Sequence, residues 1–399
     1  MDSGHTAWVL VSAALVLLMT PGLAFFYAGM VRSKNVLAML MQNFFAMGLV
    51  STIWAVIGFS LVFGDSGNGW IGNFDFVLMK DVTSLDGEIP GFAFFAFQMM
   101  FAVITPALIT GATADRLKFG SYAVLIGIWS VLVYLPAAKW VFNGWLLDMG
   151  ALDFAGGTAI HINAGVAALA VVIVIGNRKG HGDTPMPPHN LPFTLLGTGI
   201  LWFGWIGFNA GSGLAADGLA AQAVVNTHLA AATGMLGWLL VEKLKGGHAT
   251  TLGAASGAVA GLVAITPCAG FVGGASPLII GALSGIICYL ALSIKEKMNW
   301  DDSLDVIAVH LVGGIVGTLL LGFFADTAVN DEFDGLFYGG GLELLKDQFV
   351  AAVAVGAFSF VVTYAIAKVI DATMGLRVDE DGENQGLDQS QHAESAYSS

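Results

Sequence analysis

Two histidines are the groups in this chain best able to handle a proton. His161 stands in Ala159-Ile160-His161-Ile162-Asn163-Ala164-Gly165, and His310 in Ala308-Val309-His310-Leu311-Val312-Gly313-Gly314. An ionisable side chain in such apolar sequence is costly when charged and is a functional candidate by default. Burial disfavours the imidazolium form, so neutral rings are expected. Neutral imidazoles that share a hydrogen bond can pass a proton or guide a small polar molecule through an apolar channel. The simpler reading is a hydrogen bond from each ring to a neighbouring carbonyl or hydroxyl. Matching surroundings in two parts of the chain favour the conduit. A metal site is the weaker idea, because no third ligand stands at a plausible spacing. His228 has no such counterpart and reads as structural.

Asp153 opens the segment Asp153-Phe154-Ala155-Gly156-Gly157-Thr158. A carboxylate there can cap the helix that carries His161. Eight residues on a helix span about 12 Å, too far for direct contact with that ring. Asp153 is therefore expected to shape a vestibule rather than to hold a cation. Among the many aromatics, Phe97, Phe101, Trp205 and Phe208 fall on two segments of the apolar sequence. Most such rings pack against neighbours or lipid, but aromatic faces can also replace part of a cation's hydration, for about 0.5–2 kcal/mol each.

These groups need elements to position them, and the composition says which. Of 399 residues, 56% are apolar and 11% are charged. Soluble domains carry about 25% charged residues, so the chain cannot coat a water-facing surface. The mean hydropathy is +0.77. The 53 glycines suit closely packed membrane helices. Acids outnumber bases by 29 to 15, which argues against nucleic acid as a partner. Cys268 and Cys288 lie in apolar surroundings at no metal spacing, so neither a disulfide framework nor a zinc site is expected.

A membrane helix needs about 20 apolar residues. Stretches free of Asp, Glu, Lys and Arg cover residues 3–31, 35–64, 89–114, 119–138, 154–177, 184–216, 218–241, 246–294, 306–325 and 348–367. The 246–294 stretch is too long for one span and is broken at Thr266-Pro267-Cys268-Ala269-Gly270, which brings the total to eleven. With the N-terminus outside, twelve of the 15 bases fall on the inner side. The positive-inside rule thus predicts N-out, C-in, in the plasma membrane. The same division puts most of the formal charge of −14 on the outer face, a mild attraction for cations. The N-terminus lacks a basic leader region, so no cleaved signal peptide is expected. Residues 1–375 read as one membrane domain, and 376–399 as a cytoplasmic tail, partly disordered by composition.

The two histidine segments lie five spans apart. So do Phe26-Tyr27-Ala28-Gly29 and Phe208-Asn209-Ala210-Gly211. A five-span repeat is odd, so its second copy is inverted. Inverted repeats place a substrate path at their interface near the midplane. The expected fold is an all-α membrane protein with a five-plus-five inverted repeat.

With these motifs in order, the chain resembles the ammonium transporter (Amt/Mep/Rh) family, of the Amt type. The most specific segment runs from Asp153 through His161 to Gly165 and on to Gly176-Asn177-Arg178. Further matches are Phe25-Phe26-Tyr27-Ala28-Gly29, Gly207-Phe208-Asn209-Ala210-Gly211-Ser212, Ala308-Val309-His310 and Gly375-Leu376-Arg377-Val378. The resemblance implies a homotrimer with one narrow pore per protomer, ammonium as substrate, and no cofactor. It implies an outer recruitment site at Phe101 and Ser212, with Phe97 and Trp205 nearby. A gate of Phe101 and Phe208 would lie below it, and His161, His310 and Phe26 would line the pore. Asp153 matches the family's carboxylate near that site. In place of the usual Trp-Gly-Gly-Gly, the chain has Phe142-Asn143-Gly144-Trp145. Phe142 then occupies the tryptophan position with a weaker cation–π face, or Trp145 takes over that wall. The tail resembles the family's cytoplasmic tail, which suggests a contact between protomers and docking of a PII signal protein. An ammonium sensor of the same fold, with little sustained flux, is the alternative. An intramembrane hydrolase is disfavoured, because no nucleophile–base pair stands out.

Overall fold

The computed structural model describes residues 1–397, and all its regular structure is helical apart from one isolated bridge between Leu117 and Arg377. Eleven helices form the body. The first five are α1 (Ser3–Met30), α2 (Ser33–Phe63), α3 (Gly91–Ile109), α4 (Phe119–Met149) and α5 (Gly157–Ile175). The remainder are α6 (Leu191–Gly211), α7 (Gly218–Gly246), α8 (Thr251–Ile265), α9 (Ser276–Met298), α10 (Ile307–Phe324) and α11 (Glu343–Met374). Ten of them are long and apolar enough to cross a membrane, which makes this a multi-pass membrane protein.

The eleventh, α8, has 15 residues, about 22 Å at 1.5 Å per residue, and is shorter than the hydrocarbon core. Its neighbours cover it: residues 255–273 are all buried. A helix walled by protein need not match the bilayer thickness. This resolves the long apolar stretch into α8, a turn through Thr266–Gly273, and α9.

The halves meet where side chains are smallest. A Cβ at Gly22 of α1 would strike Ile200, and one at Gly197 of α6 would strike the Phe26 backbone. These two helices open their respective halves, and small residues let them approach closely. The α5–α10 crossing repeats the device with two-fold symmetry. Gly165, four residues after His161, packs on the Leu311 backbone. Gly314, four residues after His310, packs on Gly157 and Ile162. Each glycine thus faces the residue that follows the other half's histidine.

At the end of the bundle opposite the N-terminus, loops are joined by buried charges. Arg178 grips Asp301 with Nη2–Oδ1 at 2.8 Å and Nε–Oδ2 at 2.9 Å, and reaches Asp115 at 3.2 Å. Arg116, fully buried, donates to the Gly176 carbonyl at 2.8 Å and to Ser303 Oγ at 2.7 Å. Burial works against the Asp301 anion, yet the two guanidiniums hold its carboxyl well below the usual range.

Beyond Gly375, composition suggests partial disorder, but residues 376–397 are docked. Two short helices, α12 (Glu380–Gln385) and α13 (Leu387–His392), lie against the same loops. Leu376, Val378 and Leu387 are buried, and so are the carboxylates of Glu383 and Asp388. Glu383 pairs with Arg377 at 2.6 Å and accepts the Lys179 amide at 2.7 Å, while Asp388 accepts the Ala38 amide at 2.8 Å. A polar segment escapes disorder when its charges find fixed partners. Residues 398 and 399 of the tail lie outside the described residues.

Candidate functional site

Each histidine sits on a wide π-helical turn that starts its helix, Gly157–Ile162 for His161 and Ile307–Val312 for His310. Such turns widen the helix by one residue and often mark functional positions. The carboxylate of Asp153 fixes the first turn. It accepts the amides of Gly156, Gly157, Thr158 and Ala159 at 2.7–3.2 Å. Burial pushes its carboxyl above the ordinary value, against these four donors, which favour the anion.

Asp302 plays the same part in the other half. Its carboxylate accepts the Val306 amide at 3.1 Å and the Ile307 amide at 2.7 Å. It precedes His310 by eight residues, as Asp153 precedes His161. Sequence reasoning passed over this residue, although the shared Asp-to-His spacing was a readable signal. Burial pushes the Asp302 carboxyl up to about 6, with Lys295 opposing.

The turns bring the two imidazoles together. Nδ1 of His161 and Nδ1 of His310 are 3.2 Å apart, and the ring centroids are 5.3 Å apart at 23°. Two neutral rings in this geometry share one proton between the facing nitrogens. One outer nitrogen of the pair must then be a donor and the other an acceptor. His161 Nε2 is buried and has no protein partner. The rings face a cavity of about 10 Å3 lined by Phe26, Leu108, Ile160, Trp205, Phe208 and Val259. That volume is about what one water-sized molecule needs.

Above the histidines lies a stack of rings. Phe208 is 6.1 Å from His161, Phe101 is 4.4 Å from Phe208, and Phe97 is 4.8 Å from Phe101. All three phenylalanines are at most 2% exposed. Ser212 is partly exposed one turn beyond Phe208, and its Oγ donates to the Phe208 carbonyl at 2.8 Å. Its lone pairs stay free to accept.

Trp205, expected near Ser212, lies deeper in the bundle. Trp205 stacks on His161 at 5.4 Å and 23°, with its Nε1 bound to Thr266 Oγ1 at 2.9 Å. Seven helical residues before Ser212 put it about 10 Å deeper, within the cavity wall. Phe142 is half-buried on α4 and, among the described residues, forms no ring pair with Phe97 or Phe101. The ring of Trp145 stacks on Trp70 at 5.3 Å and 28°, with Trp140 at 5.9 Å. His228 is exposed on the side of α7 and lies 5.4 Å from Trp202, apart from the cavity. No cluster of three or more metal-ligating side chains occurs among the described residues.

The chain matches the model of the Ammonium Transporter Family over residues 7–397. It is 49% identical to an ammonium transporter of Mycobacterium tuberculosis (strain H37Rv) over 431 aligned positions, covering 99% of this chain and 90% of that protein. The crystal structure of Candida albicans Mep2 superposes with a TM-score of 0.90 at 38% identity, over 96% of this chain and 87% of that one. A structure described as a sensor Amt protein reaches a TM-score of 0.91 at 29% identity, over 98% of both chains. By sequence, by fold and by the order of its motifs, this chain belongs to the ammonium transporter family.

Proposed function

We propose that this protein moves ammonium across the plasma membrane by stripping its proton at the outer mouth and conducting NH3 past the twin histidines. The observation that carries this reading is the pair of imidazoles on a cavity sized for one small molecule, sealed above by stacked phenyl rings. Bare ammonium entering such a space would lose its hydration at a large electrostatic cost. NH3 would not, and the outer nitrogens of the histidine pair offer it one acceptor and one donor. Ser212 and the faces of Phe97 and Phe101 recruit the cation. Phe101 and Phe208 gate the path, and His161, His310, Phe26 and Trp205 line it. Phe142 keeps at most a rim role. Asp153 acts through the turn that it caps. The curated relative named above is a transporter, which supports a non-enzymatic role.

Residues 1–375 form the membrane domain, with the N-terminus outside, and 376–399 form the cytoplasmic tail. The protein acts as a homotrimer embedded in membrane lipid, and its inner face is the docking surface for a PII signal protein. The tail couples that face to the pore, because Asp388 and Glu383 hold α2 and the 176–179 loop while its backbone bonds to Arg116 and Lys118. Deleting residues 377–399 should lower ammonium flux several-fold and abolish any response to PII protein, without loss of the folded bundle. Wild-type flux and regulation in the truncated protein would remove the tail from the mechanism.

Current recording on proteoliposomes tests the main reading. An ammonium jump should give a sustained uptake signal, read as current or as internal pH change, that is absent with potassium. The second reading is an ammonium sensor, favoured by the sensor-like structural neighbour and by Phe142 at the usual tryptophan position. A binding transient without sustained flux would decide for it.

A further inference from the structure

The turn that carries His310 is tied down by a side chain that the turn of His161 does without. The two turns start alike. The residue five positions before each histidine, Gly156 in one half and Asp305 in the other, has a left-handed backbone, with φ of 108° and 63°. The Gly156 carbonyl accepts the Ile160 amide at 2.8 Å, and the Asp305 carbonyl accepts the Val309 amide at 2.9 Å. Glycine takes that conformation freely, whereas a side chain makes it costly.

The capping carboxylates differ in reach. Asp153 holds four amides of its turn, and Asp302 holds two. The half with the costlier backbone thus has the weaker cap. Lys295, three residues before the end of α9, makes up the difference. Its Nζ donates to the Asp302 carbonyl at 3.0 Å and to the Asp305 carboxylate, and so clamps both ends of the link between them. Three residues before the end of α4, the other half has Leu146, which has no donor to offer. The Lys295–Asp305 pair is about one-quarter exposed on either side, and such a pair adds little to stability by its charge alone. Its use is to hold a backbone that would otherwise relax.

We infer that Lys295 is a positioning residue for His310. By holding Asp302 and Asp305 together, it sets the turn that brings the second imidazole to the first. Lys295 does not line the cavity, so it acts only through this turn. Its effect on flux rests on the transport reading above, and its effect on the ring contact does not.

A rescue experiment tests this. Lys295→Met should lower maximal ammonium flux in proteoliposomes about tenfold, the scale of a small misplacement. The half-saturating concentration should stay unchanged, because the outer mouth is untouched. Lys295→Arg keeps a donor and should keep most of the flux. Adding Asp305→Gly to Lys295→Met should return flux to within about twofold of wild type, since glycine holds the left-handed backbone unaided, as Gly156 does. A lysine that served only general stability would not be replaced by a glycine elsewhere. Solid-state NMR of protein labelled with nitrogen-15 histidine follows the contact itself. The resonance of the shared proton's nitrogens, identified by its loss in His161→Leu, should vanish in Lys295→Met and return in the double variant. If Lys295→Met does not fold, a folded double variant with the wild-type resonance carries the same conclusion. Unchanged maximal flux or an unchanged resonance in Lys295→Met would overturn the assignment, as would a double variant no better than Lys295→Met. A wild type without flux would sink the transport reading alone, and the resonance would still decide the role of Lys295.

Discussion

Replacing His161 and His310 together by leucine should abolish selective ammonium flux while leaving the protein folded. Leucine approximates the imidazole in volume, and the walls around the pair, Phe26, Trp205 and Phe208, are themselves apolar. The bundle therefore loses one internal hydrogen bond and no buried charge partner. The permeating molecule loses far more. Between Phe208 and the far side of the cavity, the two outer nitrogens of the histidine pair are what NH3 can bind in place of water. Losing two hydrogen bonds of about 1.5 kcal/mol each raises the barrier enough to slow passage on the order of 100-fold. Each single replacement should act more mildly, because the remaining ring keeps one polar nitrogen at the cavity and is freed from its partner. Uptake into proteoliposomes, with potassium as the control cation, gives the measurement. Wild-type ammonium flux with wild-type exclusion of potassium in the double variant would refute the role of the histidine pair.

That experiment depends on a geometry that was only partly legible in the sequence. The spans were readable because apolar runs free of charge have one physical use, and the repeat because His161 and His310 share their flanks. The glycines four residues after each histidine were also in plain view, but their purpose appears only when α5 and α10 cross. The family resemblance put Trp205 near Ser212, and its depth along α6 is what separates them. The tail was the hardest part. Its composition is that of a solvated segment, and its order comes from Glu383 and Asp388 meeting Lys179 and Ala38, partners more than 200 positions away in the chain. Pairings of that range leave no local pattern.

Removing the Asp153 carboxylate should be the most damaging single change outside the cavity. In Asp153→Ala, four amides of the first turn of α5 lose their acceptor at once. An unsatisfied buried donor costs about 1–3 kcal/mol, so the loss is several kcal/mol even if water reaches half of them. The consequence is also positional, because the His161 turn begins on these residues and a shift there breaks the 3.2 Å contact with His310. Asp153→Asn keeps one acceptor oxygen and should fall between wild type and alanine in both melting temperature and flux. Asp302→Asn should cost less, since its carboxylate holds two amides rather than four. Its titration gives a second handle. The folded-state value of about 6 lies above that of an unfolded aspartate, so between about pH 4 and pH 6 the folded state binds more protons, and this group's contribution to stability falls as pH rises. Relative to Asp302→Asn, the wild type should therefore lose stability across that window and hold level above it. Melting curves in detergent from pH 4 to pH 8, read beside proteoliposome flux, separate the two carboxylates. An Asp153→Ala protein that melts and transports like wild type would show that the cap is dispensable, and with it the view that the pore is shaped from its mouth inward.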